Sequence, residues 1–303
     1  MTLAPIQREK IYDALISNRK NYGGTQTDFC KTWDINPSAF SQIKAARAKS
    51  EVPEKVISDD KLVRIGRKLQ VSFSSAPVTK TAKTEVYEYL HEMLDLCQQH
   101  SAGRIFVDIA DLGKSFAAKD YILNRENAFY VQCDQHKGRT EFIRALARAT
   151  GASTRGSLKD VYRDTIYMIQ SMDKPVIVLD EAGDLAYTAF LEIKAYWNAL
   201  EGCCGWLMMG ADGLAKKMDA NITNKKVGYT EILRRFGGEY MSYTKGMSKA
   251  EIAQLKLRIV NDVAEANVPK GYDVRNVIKN SLSPTRVIEN IRKVIPNEMF
   301  QAA

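Results

Sequence analysis

The stretch Arg104-Ile105-Phe106-Val107-Asp108-Ile109-Ala110-Asp111-Leu112-Gly113-Lys114-Ser115 runs from an apolar, strand-like segment into Gly-Lys-Ser, and helix-forming Phe116-Ala117-Ala118-Lys119 follows. This is the context of a phosphate-binding loop. Backbone N–H groups at a helix N-terminus surround phosphate oxygens, the lysine reaches the outer phosphates, and the serine hydroxyl ligates Mg²⁺. Asp111, Leu112, Gly113, Lys114, Ser115 and Phe116 are therefore the candidate nucleotide contacts. Two positions depart from the usual pattern: Asp108 stands where the first glycine is expected, and Asp111 where another often occurs. Carboxylates beside a polyphosphate repel it unless they point away or hold a cation.

Lys174-Pro175-Val176-Ile177-Val178-Leu179-Asp180-Glu181 is a turn, four apolar residues and paired acids. It reads as a buried parallel strand that delivers carboxylates to its C-terminal edge, where open α/β sheets bind their ligands. In that position Asp180 holds Mg²⁺ through water, with Ser115 as the other metal-site residue, and Glu181 polarises an attacking water. Gly-Lys-Ser alone is a weak signal, and paired acids alone cap helices. The two together, separated by room for a complete βαβ crossover, are far more specific.

The 303-residue chain carries a net charge of +8, and residues 1–84 account for +7 of it, with 15 Lys/Arg against 8 Asp/Glu. A basic N-terminal quarter joined to a nearly neutral core is the pattern of a nucleic-acid-binding segment on an enzyme-like domain. No apolar run approaches membrane-spanning length, and Met1–Lys10 lacks the apolar core of a signal peptide, so a cytoplasmic protein with no membrane partner is expected. Five cysteines, at 30, 97, 133, 203 and 204, and three scattered histidines have no metal-ligand spacing. The cysteines read as reduced and structural, with Cys203-Cys204 as small buried residues at the start of a strand.

Residues 25–44 read as two short helices around a tight turn at Asp34-Ile35-Asn36, with Pro37 suited to the first position of the second helix after an Asn cap. Phe29 and Trp33 lie one helical turn apart, and Phe40 and Ile43 face back towards them. A helix-turn-helix of this kind offers Ser38, Ser41, Gln42 and Lys44 to DNA, with Arg47 within reach of phosphates. An amphipathic stretch from Asp60 to Val71 closes this region, and the small, polar, Pro-containing run from Ser72 reads as a linker. Beyond it the pattern alternates: helix 85–99, the phosphate loop, strand 128–133, helices 139–150 and 159–172, the acidic strand, helix 186–200, and strand 205–210. This predicts an α/β core with a parallel sheet covered on both faces. From Ser248 onwards the helical period takes over. The expected organisation is a helical DNA-binding domain (1–71), a linker (72–82), a nucleotide-binding core (83–245) and a small helical lid (246–303).

The order of parts resembles the phage Mu B transposition protein family, AAA+ ATPases that select target DNA for transposition. The likeness spans nearly the whole chain and is firm at the two nucleotide motifs. Asp180-Glu181-Ala182-Gly183-Asp184-Leu185 is similar to the family's Asp-Glu-Ala-Asp-His-Leu, while the sensor strand ends in Met209-Gly210-Ala211-Asp212 where the family has Met-Gly-Asn. The resemblance implies an arginine finger at Arg234 or, by slight preference, Arg235, acting on the next subunit's nucleotide. It also implies a lid arginine at Arg286, in Leu282-Ser283-Pro284-Thr285-Arg286, over the nucleotide of the same subunit. As cofactors it implies ATP and Mg²⁺. As activity it implies ATP-dependent filament or ring assembly on double-stranded DNA without sequence preference, and delivery of that DNA to a transposase; the departures at Asp108, Asp111 and Ala211, with Lys114, Ser115, Asp180 and Glu181 retained, lead to the expectation of slow hydrolysis. Lys216, Lys217, Lys225 and Lys226, in a segment expected to be loop-rich, are the core's candidate DNA contacts. The competing readings are a helicase-loader or replication-type ATPase, a DNA-binding regulator with a catalytically weak nucleotide core, and a small-molecule kinase.

Overall fold

The computed structural model describes residues 3–294, apart from 21, 55, 70, 72–78, 270, 280 and 282. Most of the expected linker, and Leu282 of the lid segment, lie outside the described residues. The chain divides into two compact units, Met1–Ser75 and Ala76–Ala303.

The first unit is helical: α1 (Pro5–Lys20), α2 (Gln26–Thr32), α3 (Pro37–Ala48) and α4 (Asp59–Lys68). Thr25 caps α2 by accepting from the Asp28 amide. Asn36 caps α3 in the same way from Ser38, with Pro37 in the first turn where its missing N–H costs nothing. Asp34 adopts a left-handed conformation, φ 54°, that turns the chain between α2 and α3. Tyr12, Phe29, Phe40, Ile43, Leu62 and neighbouring apolar residues form one core. Arg47 ties α3 to α1 through Glu9 and Asp13, both at 2.8 Å.

The second unit runs α5 (Glu85–His100), β1 (Gly103–Val107), α6 (Lys114–Asn124), β2 (Ala128–Gln132), α7 (Arg139–Thr150), α8 (Leu158–Gln170) and β3 (Val176–Asp180). It continues α9 (Tyr187–Ala199), β4 (Gly205–Gly210), α10 (Asp212–Thr223), α11 (Tyr229–Arg235), β5 (Tyr240–Met241), α12 (Lys249–Asn267), α13 (Val274–Ile278) and α14 (Pro284–Val294). The strands form one sheet in the order β2-β3-β4-β1-β5, parallel throughout. The period-2 alternation of strand side chains sorts them into two cores. Ile105, Val107, Phe129, Val131, Ile177, Leu179, Trp206 and Met208 pack against α7, α8, α9 and α10. Phe106, Val176, Val178, Leu207 and Met209 face the other way, against α5, α6 and the first half of α12. Gly205 permits the second contact, because a Cβ there would lie 2.2 Å from the carbonyl oxygen of Cys97. The second half of α12 joins α13 and α14 in a separate small cluster of Val260, Ala264, Val277, Val287 and Ile291.

Two expectations need correction. Lys216 and Lys217 lie on α10, a regular helix rather than a loop-rich segment. Its apolar side is satisfied by burying Leu214 and Met218. Only Cys204 of the adjacent cysteine pair is buried; Cys203 is exposed, in the turn that precedes β4. Among the described residues, no helix is long and apolar enough to cross a membrane.

Candidate nucleotide site

The loops after β1, β3 and β4, three neighbouring strands, converge at the C-terminal edge of the sheet. The loop after β1 carries Asp108–Gly113 into α6. Gly113 precedes the helix in a left-handed conformation, φ 82°, and a Cβ there would meet nothing within 4 Å. Backbone conformation, not crowding, is what calls for glycine at this position. Asp111 is also left-handed, φ 66°, and exposed. Aspartate is among the residues that tolerate this region best, so the loop keeps its course without the second glycine.

Asp108 is buried and turned away from the loop's interior. Its Oδ2 accepts from Ser242 Oγ at 3.0 Å, the Tyr243 amide at 2.6 Å and the Thr244 amide at 3.0 Å. Its Oδ1 accepts from the Ile109 amide at 2.8 Å and Thr244 Oγ1 at 2.5 Å. The electrostatic objection to a carboxylate here is answered by direction: five donors from its own loop and from the segment after β5 take up its charge. Tyr243 continues the connection, donating from its hydroxyl to Glu85 at 2.6 Å, and Glu85 pairs with Arg258 of α12 at 2.7 Å. Four of Asp108's five donors were not legible beforehand, because they come from a segment 134 residues and more away.

Lys114, at the start of α6, is buried, and its Nζ donates to the carbonyls of Asp108 at 2.7 Å and Ile109 at 2.5 Å. Burial lowers its pKa, and the nearby Asp108, Glu181, Asp180 and Asp212 act against that shift. Asp180 ends β3, buried, with Oδ1 accepting from the Glu181 amide at 3.0 Å and Oδ2 accepting from the Tyr130 hydroxyl. Glu181 is held left-handed at φ 51°, ψ 42°. A non-glycine residue in that region carries strain of the kind that collects at functional sites. Burial and then Asp180 push the Glu181 carboxyl above its ordinary range, as suits a group that must take a proton. Asp212 opens α10 immediately beyond the end of β4, and the Asp108 amide reaches the Gly210 carbonyl at 3.3 Å.

A hard divalent cation takes oxygen ligands. The donor set here suits one: a serine hydroxyl and an aspartate carboxylate at one sheet edge, in surroundings where several carboxylates face a single ammonium.

The other candidate residues fall elsewhere. Phe116 is exposed in the first turn of α6. Arg234 is exposed at the end of α11, whereas Arg235 is half-buried and its Nη1 is screened from solvent without a hydrogen-bond partner. Arg286 lies in the first turn of α14 and pairs with Glu289 at 3.1 Å. Lys217 is engaged, donating at 2.6 Å to the carbonyls of both Gly183 and Leu185. Lys216 and Lys225 are exposed, and Lys226 lies over the Tyr187 ring at 4.2 Å. On α3, Ser38, Ser41, Gln42 and Lys44 are exposed, while Arg47 is committed to its two carboxylates.

A parallel α/β core with a Gly-Lys-Ser loop after β1 and Asp-Glu after the strand next but one defines a P-loop nucleotide-binding domain. Residues 83–218 match the family model of the AAA domain, an ATP-binding module. Among solved structures, the chain is similar to the ORC1 protein of Aeropyrum pernix in complex with DNA, at 13% identity over 77% of this chain and 66% of that one, TM-score 0.48. It is also similar to NtrX from Brucella abortus in complex with ATP, at 10% identity over 80% of this chain and 60% of that one, TM-score 0.43. The chain thus spans less than two thirds of either protein's length. No curated protein matches it in sequence.

Proposed function

We propose that this protein is a slow ATP hydrolase that assembles on duplex DNA in its ATP-bound form and presents that DNA as a target to a transposase. The convergence of Lys114, Ser115, Asp180 and Glu181 at one sheet edge carries the hydrolytic part of the reading. Lys114 neutralises phosphate charge, Ser115 and Asp180 hold Mg²⁺, and Glu181 orients and deprotonates water. Bound Mg²⁺ would draw charge from the phosphate oxygens in a site already rich in carboxylates.

For DNA, the exposed face of α3 offers Ser38, Ser41, Gln42 and Lys44, and the second unit offers Lys216, Lys225 and Lys226. Contacts of this kind go to phosphates and are indifferent to sequence. Arg47 and Lys217 are left out because their charges already have partners. Arg234, which is free to project outward, is the better placed of the two arginines to complete a neighbour's site. ATP would then link subunit association to DNA holding, and hydrolysis would release it. The transposase as partner rests on the order of motifs along the chain and on the sequence around Asp180-Glu181.

The test is DNA co-sedimentation and electron microscopy with ATP, with Lys114→Ala as the control. ATP-dependent, length-dependent, salt-sensitive coating of duplex by the parent, lost in the variant, is expected. Nucleotide-independent binding at one preferred sequence would instead make the protein a regulator. Capture of a helicase rather than a transposase encoded beside the gene would make it a loader.

A further inference from the structure

The ammonium of Lys217 closes the turn that follows Glu181. Past the end of β3 the chain makes a short 3₁₀ turn, Ala182–Asp184, with Glu181 at its head. The Asp184 amide donates to the Glu181 carbonyl at 3.0 Å and the Leu185 amide to that of Ala182 at 3.3 Å. Such a turn has poorer hydrogen-bond geometry than an α-helix and holds its shape less firmly by itself. Lys217 reaches it from α10, 34 residues further along the chain, with Nζ 2.6 Å from the Gly183 carbonyl oxygen and 2.6 Å from that of Leu185. Two peptide groups of the turn are thereby aimed at one cation, and bonds from a charged donor are the stronger kind.

Shape seats α10 against the same turn. Leu214, buried three residues before Lys217, lies against two glycines. A Cβ on Gly183 would stand 3.3 Å from Leu214 Cα, and one on Gly210, the last residue of β4, 3.2 Å from Leu214 Cβ. The strand end, α10 and the turn after Glu181 therefore move together. Lys137 also reaches the turn, pairing with Asp184 at 2.8 Å, but these side chains are 58% and 45% exposed, so the pair holds weakly. Glu181 itself is left-handed, at φ 51°, a conformation that persists only where the surroundings impose it.

We propose that Lys217 is a positioning residue for Glu181: by holding the Gly183 and Leu185 carbonyls to α10, it keeps the Glu181 backbone left-handed and fixes where its carboxylate meets the attacking water. The inference rests on the hydrolase reading above. Lys114, Ser115 and Asp180 lie outside the turn, so the hold governs the activation of water and not the binding of ATP.

Steady-state phosphate release by the full-length protein, giving kcat and KM for ATP, is the test. Lys217→Met keeps the alkyl stem and removes the ammonium. Since a misplacement of about 1 Å at a reacting group can cost about 100-fold, kcat should fall about 10- to 100-fold while KM stays within about twofold. Lys217→Arg, which retains charged donors for both carbonyls, should regain most of the loss, and Lys137→Ala should stay within about twofold of the parent in both constants. Gly183→Ala presses α10 and the turn apart from the other side. It should lower kcat about 3- to 10-fold at a similar KM, and it carries the test if circular dichroism finds Lys217→Met unfolded. A folded Lys217→Met or Gly183→Ala with the parent's kcat overturns the positioning role. So does a rise in KM as large as the fall in kcat, which marks a general loosening of the site, or an equal loss in Lys137→Ala. A parent that releases no phosphate overturns the hydrolase reading itself, and the role of Lys217 with it.

Discussion

Replacing Asp108 with glycine, the residue a phosphate loop usually carries there, should weaken this protein rather than repair it. The side chain accepts five hydrogen bonds, three of them from the amides of Ile109, Tyr243 and Thr244. The two hydroxyl donors can rotate to other acceptors, but the amides cannot. A buried donor left without a partner costs about 1–3 kcal/mol. Some water will reach the vacated pocket, so three such amides amount to about 3–5 kcal/mol rather than the full sum. Glycine adds about 0.5–1 kcal/mol through the freedom it gives the unfolded chain. At about 2–4 °C per kcal/mol for a unit of this size, the melting temperature should fall by roughly 7–24 °C. Asp108→Asn keeps one acceptor oxygen and should lose about half as much. Differential scanning calorimetry of the full chain, following the transition of the larger unit, measures both. A glycine variant within about 1 kcal/mol of the parent would mean that Asp108 does not anchor the segment after β5.

Glu181→Gln should abolish hydrolysis while sparing ATP binding, measured by phosphate release and analogue titration. Because the Glu181 carboxyl is pushed above the ordinary range and must be ionised to act, the parent's turnover should fall with decreasing pH along an acid limb above that of an exposed glutamate; turnover that stays level through that range would count against it as the base. Arg47→Ala should destabilise the N-terminal unit by about 1–2 kcal/mol by freeing Glu9 and Asp13. Lys44→Ala should leave that unit's melting unchanged and weaken DNA binding, and equal effects of the two on affinity would return Arg47 to the DNA contacts. In the native protein Cys203 alone of the five thiols should react quickly with a disulfide reagent, since the other four are buried; two or more fast equivalents would contradict the placement of Cys204.

The core of the fold was legible because parallel strands buried on both faces leave near-continuous apolar runs: Val176–Leu179 and Gly205–Gly210 could hardly be anything else. β5 was not, because two residues, Tyr240 and Met241, carry no periodicity. The segment after β4 was misread for a different reason. Its lysines and asparagines suggested loop, but Leu214 and Met218, one turn apart, were enough to seat a helix. At the candidate nucleotide site, the sequence exposes residues that are neighbours along the chain, such as Lys114 next to Ser115 and Asp180 next to Glu181. It hides those brought there by long-range contact. Tyr130 reads as one more aromatic in a strand, and Asp108 reads as a defect until Ser242–Thr244 are placed against it.

Helix α12 belongs to two clusters at once, Leu255 and Ile259 with the sheet and Val260 and Ala264 with α13 and α14. Between its ends Arg258 is tied to Glu85. Nineteen residues make a rod about 28 Å long, so a tilt of about 10° about Arg258, at its middle, displaces either end by about 2.5 Å. Mechanically, it is a lever with one arm in the nucleotide-binding core and its load on the C-terminal helices. Asp108 reaches the same pivot through Tyr243 and Glu85, which gives a loop movement of a few tenths of an ångström a route to amplification that needs no change in the sheet.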